Sequence, residues 1–134
     1  MFKLTKIQNS GVNVPEPQIL PKGEVAIARG SALIISGGKV SAAGTTTLPT
    51  HIALADAKAA DATIPCAQIH TNMVFECPVK EGTPATLVPG AKVCLVQEGG
   101  NTIGVNTTTT SGVATVYDTL GAAKVGDKIL ITFR

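Results

Sequence analysis

The side chains in this sequence best suited to chemistry are its histidines and cysteines. They are His51, His70, Cys66, Cys77 and Cys94. A zinc site needs about four ligands, and no C-x-x-C pair or finger-like spacing occurs here. If residues 64–70 form a strand, Cys66 and His70 share a face, because they differ by an even number of positions. Isolated cysteines are more commonly buried structural thiols, so we expect no metal site.

Other catalytic constellations have little support in the sequence. A Cys–His nucleophile pair would need an oxyanion hole and a cleft, and no family-specific sequence flanks any cysteine. The nine acidic residues are scattered along the chain. The segment Gly99-Gly100-Asn101 lacks the spacing of a phosphate-binding loop. We therefore predict no enzymatic activity and no cofactor, and a small Cys- or His-dependent enzyme stays as a third hypothesis.

Composition narrows the class of protein that could carry these side chains. The chain has 134 residues, of which 44% are hydrophobic, 15% charged and 3% aromatic. This length fits one domain, and the low charge argues against disorder. With 14 Gly and 8 Pro, we expect many turns and few long helices. So few charges leave the surface to small polar and apolar groups, which suggests that a partner covers part of it.

The charge balance bears on partners and location. The net charge of +2 is too weak for a general nucleic-acid binder, and the chain offers no aromatic platform for bases. The excess lies before residue 40, where five basic and two acidic residues occur. No apolar run is long enough for a secretory signal or a membrane span. An odd number of cysteines is typical of synthesis in a reducing cytoplasm.

Residues 1–22 differ from the rest of the chain. Spaced apolar residues in a polar context come first, and three prolines follow between residues 15 and 21. Proline fixes φ and favours extended geometry in the residue before it. We predict an extended N-terminal arm, which could add as a strand to another sheet. The alternative is that this segment is the first strand of its own domain, or a frayed terminus.

Residues 23–134 have the pattern of a single all-β domain. Short runs rich in Val, Ile and Thr alternate with turn residues, and the Gly37-Gly38 pair predicts a tight hairpin. The predicted strands cover residues 25–29, 32–35, 39–42, 52–55, 64–70, 73–79, 92–97, 103–108, 113–119 and 128–133. Residues 56–61 suggest one helical turn, with Asp56 as N-cap. Many short strands with close turns indicate a small barrel or sandwich.

Strand alternation predicts which side chains are buried. In residues 128–133, Ile129, Ile131 and Phe133 fall on one face. Phe75 is expected in the core for the same reason. The threonine runs at 45–47 and 107–110 suggest ice binding or glycan attachment, but no regular repeat accompanies them. Threonine also suits exposed strand faces and loops, so we assign these runs no special role.

Part of the sequence resembles the head-decoration, or capsid cement, proteins of tailed bacteriophages. The resemblance is carried by GEVAIARGSALIISGGKVSAAG, LPTHIALADA and ATIPCAQIHTNMVFECPV, within residues 23–79. An arm leads into a hairpin, an Ala-rich strand and connection follow, and a strand pair returns. The resemblance implies a small β-barrel or β-tulip-like domain with an extended N-terminal arm and no catalysis.

The resemblance also implies a partner and a location. Such proteins bind the outer face of the major capsid protein lattice, often as trimers, and stabilise the head. The implied location is the outer surface of the virion, after synthesis in the host cytoplasm. Their N-terminal arm commonly pairs with capsid protein segments. Mapped onto this sequence, the candidate capsid contacts are Phe2, Lys3, Leu4, Thr5, Lys6 and Ile7.

A second hypothesis is a β-sandwich module of a virion fibre or tail that binds carbohydrate or the host surface. Sugar sites usually present exposed aromatic rings. The chain has one Tyr and three Phe, and two of the Phe are predicted to be core residues. This alternative therefore depends on Tyr117 and Phe2.

Overall fold

The computed structural model describes residues 1–8 and 15–134. These residues form strands, turns and one short 3-10 helix, Pro84–Thr86, and no α-helix occurs among them. The prediction of an all-β protein is confirmed. The strands in chain order are β1 (Lys3–Ile7), β2 (Pro17–Pro21), β3 (Ala32–Ser36), β4 (Lys39–Ala42), β5 (His51–Ala53), β6 (Thr63–Gln68), β7 (Met73–Pro78), β8 (Lys92–Val93), β9 (Leu95–Glu98), β10 (Asn101–Val105), β11 (Ala114–Asp118) and β12 (Lys128–Phe133).

The strands form two five-stranded sheets and one hairpin. The first sheet has the order β1-β7-β12-β11-β8, and the second has the order β2-β6-β5-β3-β4. The pairs within both sheets are antiparallel. Strands β9 and β10 form the separate hairpin. Antiparallel pairing suits this sequence because its short strands are joined by tight glycine-rich turns.

The first sheet covers the larger core, which is built around three phenylalanines. The centre of the Phe133 ring lies 5.1 Å from the centre of the Phe2 ring and 5.2 Å from that of Phe75, and both pairs are T-shaped. Such T-shaped pairs add about 0.5–1.5 kcal/mol beyond their buried area. Ile129 and Ile131 are fully buried beside them, so the predicted alternation in β12 is confirmed. All three phenylalanines of the sequence lie in this core.

The second sheet encloses a smaller aliphatic core. Its buried side chains include Leu33, Val40, Ile64 and Cys66, with Leu20 packed at its margin. The β3–β4 hairpin turns through Gly37 and Gly38 at φ of 58° and 75°. Positive φ at both central positions is what a tight hairpin turn needs, and glycine adopts it without steric cost. The predicted hairpin is confirmed.

A buried polar network joins the β9–β10 hairpin to the second sheet. Thr102 is fully buried, and its backbone N–H donates to Ser31 Oγ at 3.0 Å. The Thr102 hydroxyl and the Gln97 amide both donate to the Ala43 carbonyl. Buried polar groups that are all paired hold packed elements in one arrangement.

The strands described here do not form a closed barrel. Single parallel bridges, Lys22 to Val40 and Val79 to Val105, bring strand ends together in each half of the molecule. The strands preceding these bridges end at Pro21 and Pro78. Proline has no N–H to continue a ladder, which accounts for contacts of one bridge rather than a full strand pair.

Three predictions from local pattern are wrong in detail. Residues 25–29 form no strand, and only Ile27 makes a bridge, to Ala57. The predicted strand 92–97 is interrupted at Cys94. Residues 56–61 form a single hydrogen-bonded turn at 58–61 and no helix, and the Asp56 carboxylate accepts the Arg29 N–H at 2.7 Å instead of capping its own segment. Tertiary hydrogen bonds outweigh weak local propensity in these segments.

The pairing of the N-terminal segment agrees with the alternative prediction, in which this segment is the first strand of its own domain and not a free arm. Strand β1 pairs with β7, and β2 pairs with β6. The Phe2 N–H donates to the Gly30 carbonyl at 2.9 Å, and the Phe2 side chain is 2% exposed. Residues 3–7 are therefore the first strand of the domain. The rest of the predicted arm includes residues 9–14, which lie outside the described residues.

Candidate functional site

The cysteines and histidines considered for chemistry lie apart. Cys77 lies in the core of the first sheet and Cys66 in that of the second. Strand β6 ends at Gln68, so the shared strand face expected for Cys66 and His70 does not extend to His70, which is exposed. Within residues 1–8 and 15–134, no group of three or more His, Cys, Asp or Glu could hold a metal ion.

Burial keeps two of the thiols protonated at neutral pH. Desolvation raises the pKa of Cys66 to about 11. Desolvation also raises the pKa of Cys77, which is completely buried. The thiolate is the nucleophilic form, so neither side chain is a ready nucleophile in the folded protein. The Cys94 thiol donates to the Thr110 carbonyl at 3.1 Å, a contact that fixes a loop.

His51 is a buried member of the second sheet, 6% exposed. Its Nε2 lies 3.0 Å from Gln18 Oε1, and its Nδ1 lies 2.9 Å from Thr50 Oγ1. A glutamine Oε1 only accepts, so Nε2 carries the proton and Nδ1 accepts from the threonine hydroxyl. Burial lowers the pKa of His51. The ring therefore acts as a neutral link between β2 and β5.

Five of the six predicted capsid contacts, residues 3–7, form β1, one of the two edge strands of the first sheet. Strand β1 pairs with β7 on one side and is the last strand in the sheet order. Lys3, Thr5 and Lys6 are exposed, and Leu4 and Ile7 are half-buried. A register shift between Leu4 and Lys6 marks a bulge at Thr5. Bulges and lysines are common on edge strands, where they limit uncontrolled strand pairing.

Three of the six residues have side-chain partners that the sequence did not predict, and one of them is Thr5, whose hydroxyl donates to the Val74 carbonyl at 2.9 Å. Phe2 packs against Phe133 in the core, so its side chain is not available as a surface anchor. Lys6 Nζ donates to the Tyr117 hydroxyl at 2.7 Å and lies 4.5 Å from the centre of the Tyr117 ring. Lys3 is the other exposed lysine of β1. A hydrogen bond to a neutral hydroxyl leaves the ammonium charged, so Lys3 and Lys6 together give this edge its basic character.

A buried lysine at the end of β2 was missed by sequence reasoning. Lys22 is 4% exposed. Its ammonium donates to the carbonyls of Gly23 at 2.8 Å, Asp61 at 2.9 Å and Ala59 at 3.2 Å. Three donors meeting three backbone acceptors satisfy the ammonium group. No local sequence signal indicates this, because two of the acceptors come from a distant loop.

The surface also carries exposed apolar side chains. Ile19, Val25 and Val88 are 65%, 62% and 60% exposed. Leu120 is 52% exposed at a backbone φ of 51°, a region that side chains larger than glycine rarely adopt. In the described part of the chain, no helix has the length and apolar character needed to cross a membrane.

The chain was compared with models of protein families, with curated proteins and with solved structures, and none of these comparisons found a match.

Proposed function

We propose that this chain is a structural protein of a tailed bacteriophage head. In this proposal it binds the outer face of the major capsid protein lattice as a homo-oligomer, with a trimer favoured, and stabilises the capsid without catalysis. The β-tulip-like arrangement and the virion location belong to the same proposal. Its supports are the sequence resemblance in residues 23–79 and, above all, the position of β1 at an edge of the first sheet.

An edge strand suits a lattice-binding protein because it can accept another strand. A capsid segment that added beside β1 would form main-chain hydrogen bonds with little dependence on its own sequence. The exposed ammonium of Lys3 would attract an acidic segment and set the direction of approach. Many copies on one lattice add modest contacts through multivalency.

The buried residues of the N-terminal segment have a supporting role in this proposal. Phe2 and Phe133 pack together, and Phe2 N–H donates to the Gly30 carbonyl. These contacts hold β1 in its extended form before any partner arrives, which lowers the entropy cost of binding. Phe2 is thus a positioning residue, while Lys3 and Thr5 remain candidates for direct contact.

The experiment is co-sedimentation of purified protein with expanded capsids of the encoding bacteriophage. Deleting residues 1–10 would remove Phe2 from the core, so loss of binding could reflect unfolding. Lys3→Glu reverses an exposed charge at the edge and leaves the core intact. The matched control is Lys39→Glu, an exposed lysine on an edge strand of the other sheet.

We expect Lys3→Glu to weaken binding and Lys39→Glu to bind like the wild type. The effect of Lys3→Glu should shrink as ionic strength rises, because salt screens exposed charges. Equal binding of the two variants would remove β1 from the mechanism. Wild-type protein that stays in the supernatant at all ionic strengths would overturn the capsid-binding function itself.

A further inference from the structure

Two threonine runs that are far apart in the sequence meet on one side of the molecule. The Leu95 N–H donates to the Thr45 carbonyl at 2.8 Å, and the Cys94 N–H donates to the Thr108 carbonyl at 3.1 Å. Two consecutive residues, Cys94 just before β9 and Leu95 at its start, thus bond to the two runs. Residues 45–47 and 107–110 are thereby brought to the same short stretch of chain.

Between these runs lies an open cleft with a volume of about 630 Å³. We call it the threonine cleft. Its polar walls are formed by Thr45, Thr46, Gln97, Asn106, Thr108 and Thr110. Leu95 and Val96, both buried, contribute an apolar base. The size is within the range of small-molecule sites in proteins, which are about 300–1,000 Å³.

The chemistry of the walls selects the class of ligand. Among the described residues that line the cleft, Glu81 is the only acidic one, and none is Lys or Arg. An anion or a nucleic acid would need cationic side chains, and a divalent cation would need several carboxylate or carbonyl oxygens. Hydroxyl and amide groups both donate and accept hydrogen bonds, which matches a neutral ligand rich in hydroxyls.

Parts of the cleft are held in place before any ligand binds. Asn106 Oδ1 accepts the Thr108 N–H at 3.0 Å. The Gln97 amide donates to the Ala43 carbonyl at 2.8 Å, which fixes the side chain against the second sheet. Groups that are already ordered lose less entropy on binding.

We propose that the threonine cleft binds a neutral oligosaccharide. This activity is separate from capsid binding, since the cleft lies on β9 and its neighbouring loops and not on β1. No aromatic ring occurs among the described lining residues, so the ligand is held by hydrogen bonds without stacking. A Kd of about 1 mM is expected for one such site. Many copies on one particle would raise the overall avidity.

The test is an NMR titration of the full chain with maltohexaose, cellohexaose and chitohexaose, each raised to about ten times the expected Kd. We expect at least one of the three sugars to shift the backbone amides of Thr45, Thr46, Thr108 and Thr110. Thr46→Val and Thr108→Val keep the shape of the side chain and remove the hydroxyl. Each should raise the Kd by about fivefold, the effect of one lost hydrogen bond.

The matched control is Thr109→Val, which changes the same run at an exposed side chain that does not line the cleft. It should leave the Kd unchanged, and all three variants should give the amide spectrum of a folded chain. No shift with any of the three sugars, shifts located elsewhere, or equal effects of Thr108→Val and Thr109→Val would each overturn the proposal. Capsid co-sedimentation of Thr108→Val should equal that of the wild type, which separates this site from the proposed function.

Discussion

Replacing Lys22 by methionine tests whether a buried ammonium holds the second sheet together. Lys22 forms the isolated bridge with Val40, and its ammonium binds carbonyls of Gly23, Ala59 and Asp61. Methionine has a similar length and is apolar, so it fills the same space and removes only the donors. The variant Lys22→Met therefore leaves three carbonyls without the hydrogen bonds that they receive from the ammonium.

The expected loss follows from these contacts. A hydrogen bond to a charged group contributes about 1.5–3 kcal/mol, and three would give an upper limit of about 5–9 kcal/mol. The real loss is smaller because the wild type also loses the hydration of its ammonium on folding. The residues that carry the carbonyls also border an open cleft, so water can reach part of the site. We expect the free energy of unfolding to fall by about 2–3 kcal/mol.

Urea unfolding monitored by circular dichroism measures this loss. With an m-value of about 1.5 kcal/mol/M, the midpoint should fall by about 1.3–2 M. The control is Lys39→Met, because Lys39 borders the same cleft and is exposed. Its free energy of unfolding should change by less than about 0.5 kcal/mol. If both variants unfold at the same urea concentration, the carbonyl contacts of Lys22 do not stabilise the fold and the reasoning is refuted.

Three further predictions concern buried side chains. Phe2→Ala should lower the free energy of unfolding by about 3–5 kcal/mol in urea titrations, because it leaves a cavity beside Phe133; a loss below about 1 kcal/mol would show that β1 is not part of the core. Burial lowers the pKa of His51 below its usual 6.5, so the unfolded chain binds more protons than the folded one as pH falls below 6.5. Its contribution to stability should be complete above that pH and decline below it, and His51→Gln should remove this dependence; an unchanged pH profile in the variant would contradict it. Cys66 and Cys77 should react with a thiol reagent far more slowly in the native protein than in urea, since both thiols are buried; equal rates would contradict that burial.

The sequence alone predicted those strands and turns that depend on residues close together in the chain. Strands β4 and β12 have the predicted bounds, and the Gly37-Gly38 turn is where the glycine pair predicts it. These features depend on neighbours in sequence: alternation defines a strand face, and paired glycines permit positive φ. The low content of charged and aromatic residues is likewise a property of the sequence that needs no structure.

Only the tertiary structure showed the partners of residues whose sequence context suggests exposure. Phe2 is followed by Lys3, and its sequence context resembles a flexible terminus, yet it packs against a ring from residue 133. Lys22 binds carbonyls nearly forty positions away, at Ala59 and Asp61. The threonine runs meet because the backbone of Cys94 and Leu95 bonds to one run each. Each contact joins distant parts of the chain. Patterns among neighbouring residues in a single sequence do not predict which distant segments come together.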